Sequence, residues 1–104
     1  IRSSARAADV RATLGLPDLE LVACDLMSDA GWAEAMAGIT YVQHIASPIP
    51  SGEPKNPDDL IVPAREGALR ALRFAQAAGV KRVVMTSSMA AIAYGHGDGH
   101  APFT

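Results

Sequence analysis

Three hydroxyl residues stand together where an apolar, β-prone run stops. Val83-Val84-Met85 is followed at once by Thr86-Ser87-Ser88, and then by small residues and glycines. A hydroxyl can donate a hydrogen bond to a carbonyl oxygen and accept one from an amide. At the carboxyl end of a strand in an open α/β sheet it stands on the edge where such sheets bind ligands. Two earlier β-prone runs also end on polar residues, one at Asp25 and one at Ser47-Pro48. Arg2 and Arg6 place positive charge near the start, with no acidic residue before Asp9. His96, Asp98 and His100 fall in a Gly-rich stretch that cannot preorganise ligands, so no metal site is expected.

The elements that must position these residues follow from periodicity and capping. Ser3 or Ser4 can cap a helix reaching about Leu14, with Ala7, Val10 and Leu14 on one face and Gly15 and Pro17 to end it. Leu19–Cys24 is a nearly continuous apolar run, expected as a strand buried on both faces. Ser28 and Asp29 are expected to open a short helix that shares Trp32, Ala35 and Met36 on one face and ends at Gly38. Tyr41–Ala46 reads as the next strand.

After a polar, Pro-rich loop, Asn56 should cap a longer helix, with Pro57 in its first turn and Asp58 and Asp59 at its positive end. Leu60, Ala64, Ala68, Leu72 and Ala75 form its expected inner stripe. Gly79 ends it, Pro63 interrupts its hydrogen-bond ladder, and Gly67 marks a close approach. Val80–Thr86 is the last strand. Helix and strand alternate with short links, which predicts βαβ units and a parallel sheet.

Bulk properties narrow the classes. With 104 residues, 49% apolar and 19% charged, the chain has ordinary globular composition. A net charge of −2 without a basic stripe argues against nucleic acid, and no apolar run is long enough for a membrane span. Cys24 is the one cysteine, which suits a reducing, cytoplasmic setting.

Four motifs in order then carry a resemblance. Asp25-Leu26, His44-Ile45-Ala46-Ser47-Pro48, Glu66-Gly67 in a proline-containing helix, and Arg82-Val83-Val84-Met85-Thr86-Ser87-Ser88 together resemble the extended short-chain dehydrogenase/reductases. The resemblance is to the dihydroflavonol reductase, cinnamoyl-CoA reductase and carbonyl (aldehyde) reductase branch, and it covers nearly the whole chain. It implies an α/β fold: a partial Rossmann domain, its doubly wound parallel sheet lacking the first two strands. Residues 1–104 would be the central part of that NAD(P)-binding domain, with no second domain in the chain.

The resemblance also implies roles. Asp25 and Leu26 match the pair that touches the adenine ring. Ile45, Ala46 and Ser47 match the segment along the cofactor's ribose and pyrophosphate, and His44 is expected to pack in the fold. Arg2 matches an arginine that grips the 2′-phosphate of NADP, with Arg6 adding charge. NAD is the alternative cofactor. Ser88 matches the catalytic serine that hydrogen-bonds a substrate carbonyl, and Thr86 and Ser87 line the nicotinamide end or hold the loop. The implied activity is hydride transfer from NADPH to a ketone or aldehyde, with a small carbonyl compound as the partner.

A nucleotide-sugar epimerase or dehydratase is the alternative enzyme, although Tyr94-Gly95 comes two residues later than in that pattern. A non-catalytic dinucleotide-binding regulator is the alternative outside enzymes. Tyr41 and Tyr94 are not followed by lysine four residues on, and no glycine-rich fingerprint is present, so the chain is expected to be an internal piece of a longer protein. In the family's strand order, 3-2-1-4-5-6, the segments Leu19–Cys24 and Tyr41–Ala46 lie three steps apart and should not pair directly.

Overall fold

A computed structural model of the chain describes residues 1–49, 52 and 54–97. A 3₁₀ turn, Ser4–Arg6, leads into helix α1, Ala7–Leu14, and Ser3 caps the turn by accepting the Ala5 amide at 3.3 Å. Gly15, in the left-handed region, ends α1. Helix α2 is Trp32–Met36, strand β1 is Tyr41–His44, helix α3 is Asp58–Ala77, strand β2 is Arg82–Met85, and helix α4 is Met89–Ala93.

The longest helix begins on a reciprocal cap. Asn56 Oδ1 accepts the Asp58 amide at 3.1 Å, and Asp59 Oδ2 accepts the Asn56 amide at 3.1 Å. Two amides that no helical carbonyl can reach are thereby satisfied. α3 runs through Pro63 and stops at Ala78-Gly79. Its buried face coincides with the expected stripe only at Ala75. Gly67, Ala71 and Ala75 are buried, whereas Leu60 and Leu72 are exposed. The interior face carries the smallest side chains because the helix packs closely on its neighbours, and the larger aliphatic residues are displaced outward.

β1 and β2 form a parallel ladder in the register Tyr41↔Arg82 through His44↔Met85. The Lys81 amide donates to Thr40 O at 2.9 Å and the Thr86 amide to His44 O at 3.0 Å, extending the ladder at both ends. Parallel strands joined through α3 are the βαβ unit that the alternation predicts. One sheet face packs Val42 and Val83 against Trp32, Met36, Ala71 and Ala75. The other leaves Tyr41 and Val84 exposed.

Leu19–Cys24 is corrected from a strand buried on both faces to an extended segment only partly covered. Among the described residues, its one backbone partner outside its own loop is Ile1. The Ile1 amino group donates to Val22 O at 2.9 Å, and the Cys24 amide donates to Ile1 O at 2.9 Å. This is the bond pattern of one parallel bridge, so Ile1 stands where a neighbouring parallel strand would run. Among the described residues, no hydrogen bond joins Leu19–Cys24 to Tyr41–Ala46, in agreement with the expected separation.

Gly31 fixes how α2 meets this segment. At φ +81°, a Cβ on Gly31 would lie 2.2 Å from Ala23 O, so only glycine permits the approach. Ser28, expected to cap α2, instead accepts the Ala30 amide at 3.3 Å in the turn before it.

Candidate functional site

A cavity of 760 Å³ opens between the Ile1 bridge and β1. Arg2 lines it from one side, Asp25 and Leu26 from the loop after the extended segment, and Ile45, Ala46 and Ser47 from the chain leaving β1. Trp32, Met36, Val42 and Pro63 add apolar wall. Folding therefore gathers into one cavity three sequence segments that were singled out separately. Arg6, Thr86, Ser87 and Ser88 are not among its lining residues.

The Asp25-Leu26 turn is held by side chains from two helices. Asp25 Oδ1 accepts the Met27 amide at 2.9 Å, which fixes the carboxylate, and Oδ2 takes no hydrogen bond among the described residues. The Asp25 carbonyl accepts Trp32 Nε1–H at 2.8 Å. The Leu26 carbonyl accepts Arg70 Nη1–H, and the same guanidinium donates through Nε to Asp29. Arg73 donates to both Asp29 oxygens at 3.0 Å. The Arg70 hydrogen bond, with Arg73 adding to it, holds the Asp29 carboxyl below its ordinary value. Gly67 lets Leu26 approach α3, since a Cβ there would lie 3.2 Å from Leu26 Cβ.

The charged and hydroxyl residues are arranged differently. Arg2 is exposed at the cavity and forms no ion pair among the described residues. Arg6 is exposed at the end of the 3₁₀ turn. Thr86 directly follows the ladder and bonds the carbonyl of His44, whose side chain is half-buried and belongs to the cavity wall. Ser88 caps α4: its Oγ accepts the Ala90 amide at 3.2 Å. That bond uses a lone pair and leaves the hydroxyl proton for another acceptor. Asp98 and His100 lie outside the described residues.

The donor set suits a dinucleotide. An unpaired guanidinium can take a phosphate in charge-assisted hydrogen bonds, and an open carboxylate oxygen can accept from an exocyclic amine. Ala46 and Ser47 are short enough for a ligand to come close to their backbone. The family model for NAD(P)H-binding proteins matches residues 1–101. The chain belongs to this NAD(P)H-binding family.

Curated relatives place it within the dihydroflavonol-reductase branch of the extended short-chain dehydrogenase/reductases. It is 36% identical to an anthocyanidin reductase of Vitis vinifera, over 81% of this chain and 25% of that protein. It is 36% identical to a dihydroflavonol 4-reductase of Hordeum vulgare, over 88% of this chain and 27% of the relative. A cinnamoyl-CoA reductase of Medicago truncatula is 38% identical over 73% of this chain and 24% of its own length. The chain thus spans about a quarter of the length of the curated relatives it matches. Among the described residues, no helix of this NAD(P)H-binding chain is long and apolar enough to cross a membrane.

Arg70 was not singled out from the sequence of this NAD(P)H-binding chain, and Asp29 and Trp32 were read there only as parts of a short helix. A signal for Arg70 was present. It lies between Gly67 and Ala71 on the helix face with the smallest residues, and an arginine on a packed face needs acceptors. The acceptors are 41 and 44 residues away, at Asp29 and Leu26, so only folding identifies them.

Proposed function

We propose that this chain is the central part of the cofactor-binding domain of an NADP-dependent reductase acting on a ketone or aldehyde. The observation that carries this reading is the convergence of Arg2, Asp25-Leu26 and Ile45-Ala46-Ser47 on one cavity. The names of its relatives, reductases of anthocyanidin, dihydroflavonol and cinnamoyl-CoA, support the carbonyl-reducing class.

Each residue then has a task. Arg2 holds the 2′-phosphate, and Asp25 Oδ2 accepts from the adenine amine while Leu26 packs on the ring. Ile45, Ala46 and Ser47 follow the ribose and pyrophosphate. Bound NADPH supplies the hydride. Thr86 and Ser87 border the nicotinamide end, and Arg6 adds field near the phosphate. Ser88, with its hydroxyl proton free, donates to the substrate carbonyl oxygen as negative charge develops there. In the family that the chain resembles, the proton that completes the alcohol comes from a tyrosine with a lysine four residues on, a pair that neither Tyr41 nor Tyr94 forms.

The test is cofactor discrimination in the full-length protein, wild type against Arg2→Ala. Losing charge-assisted bonds to a phosphate should cost about 1.5–3 kcal/mol, roughly one to two decades in NADPH affinity. NADH affinity should stay nearly constant. Equal loss for both cofactors, or no loss for either, would remove Arg2 from the phosphate site and with it the NADP assignment.

A further inference from the structure

The two peptide carbonyls of Asp25 and Leu26 are both taken by side chains, one from each of two helices that pack on each other. Trp32 on α2 holds the first, and Arg70 on α3 holds the second. Arg70 is the more committed of the two. Its side chain is only 16% exposed, and its guanidinium also donates to Asp29 and to the Glu66 carbonyl. Arg73 shares Asp29 but does not touch Leu26, and its side chain is 61% exposed. One guanidinium thus ties the floor of the cavity to the longest helix. Gly67, one turn earlier on α3, leaves room for Leu26 to seat there.

We propose that Arg70 is a positioning residue for the adenine-binding turn: its guanidinium, braced by Asp29, fixes the Leu26 carbonyl and so presents Asp25 Oδ2 and the Leu26 side chain to the adenine. The inference rests on the dinucleotide-binding reading above. It adds a residue that has no contact with the cavity itself and acts through the backbone of two that do. Arginine is suited to the task because its planar fork donates in two directions at once, one to a carbonyl and one to a carboxylate. A lysine ammonium can reach one acceptor or the other, but its single point charge cannot span both in the same geometry.

The experiment uses the full-length protein and three ligands: NADPH, adenosine 2′,5′-bisphosphate and reduced nicotinamide mononucleotide. The second carries the adenine end alone, and the third lacks it. Wild type should bind adenosine 2′,5′-bisphosphate in a calorimetric titration. Failure there overturns the dinucleotide reading itself, before any variant is compared. Arg70→Leu should then lose about tenfold in affinity for NADPH and for the bisphosphate, the scale of one charge-assisted hydrogen bond. Its affinity for the mononucleotide and its kcat at saturating NADPH should be unchanged. Arg73→Gln, which perturbs Asp29 but spares Leu26, should bind all three ligands like wild type.

Wild-type bisphosphate affinity in Arg70→Leu would overturn the role. So would an equal loss for all three ligands with a lowered Tm, the mark of general loosening. If Arg70→Leu does not fold, Arg70→Lys decides the matter. It should lose about threefold for the bisphosphate at near wild-type Tm, since one of two donor directions is gone. Unchanged affinity in Arg70→Lys would likewise overturn the role.

Discussion

Two regions of the proposed site are built on opposite plans: Asp25-Leu26, which lines the cavity, and Ser87-Ser88, which is not among its lining residues. At Asp25-Leu26, a turn between distant elements is held by Trp32, Arg70 and the Met27 amide, and Gly67 makes space behind it. At Ser87-Ser88, the chain leaves β2 exposed, and among the described residues the one side-chain bond is local, donated by the Ala90 amide to Ser88 Oγ. The first end is fixed by long-range contacts before any ligand arrives. The second is fixed by the ladder behind it and by one helix cap. A recognition surface gains affinity when its geometry is set in advance. A hydroxyl that must meet a developing charge needs a free proton more than it needs many partners, and Ser88 retains one.

The sharpest way to break this comparison is at the hydroxyl end. In the full-length protein, Ser88→Ala should lower kcat by ~10²–10³ while leaving NADPH affinity nearly unchanged, as for loss of one donor to an oxyanion. Steady-state kinetics and a binding titration together check it. If Ser87→Ala proves the damaging change instead, the assignment shifts by one residue.

A smaller effect is expected behind the held turn. Gly67→Val adds bulk where a Cβ alone would already sit 3.2 Å from Leu26 Cβ. Overpacking of this kind costs about 1–3 kcal/mol, to be read as a lower denaturation midpoint. The displaced Leu26 should weaken NADPH binding while kcat at saturation is maintained. An equal fall in kcat would mean that the two ends are mechanically coupled, contrary to the comparison.

The smallest effect concerns the ion pair that braces Arg70. The folded pKa of Asp29 is lowered from its ordinary value of 3.8, first by the Arg70 hydrogen bond. The contribution of Asp29 is therefore present above that value and is lost as pH falls through the lowered folded pKa. Stability curves of wild type and Asp29→Asn should run parallel above about pH 5 and converge in more acid solution. Because Asp29 is solvent-exposed, the gap should shrink with added salt. Divergence on acidification would reverse the sign and remove the ion pair as its source.

Much of the fold could be read from local sequence. Asn56, Pro57 and Asp59 encode the start of α3, because the cap bonds join residues only two and three apart. The parallel pairing of β1 and β2 follows from two β-prone runs joined by a helix. Legibility fails where a segment's state depends on a distant partner. Leu19–Cys24 has the composition of a buried strand, yet burial and pairing belong to the neighbour and not to the run, and among the described residues only Ile1 bridges it. The stripe on α3 was misjudged at Leu60 and Leu72 because periodicity identifies two candidate faces. Which one turns inward is decided by how closely the neighbouring elements approach.

The candidate site divides along the same line. Sequence by itself determined the kinds of groups present: a guanidinium at Arg2, a carboxylate at Asp25, small residues at Ala46 and Ser47, and hydroxyls after β2. Asp25, Ala46-Ser47 and the hydroxyls each lie at the end of a β-prone run, and period and capping fix where such runs stop. Only the tertiary structure decided that Arg2, Asp25 and Ser47 share one cavity, and that Arg70 and Trp32 hold its floor from two different helices. The reason is one of range. Caps and periodicity are interactions among neighbours in the chain, whereas the bond from Arg70 to Leu26 joins residues 44 apart and exists only once the helices have packed.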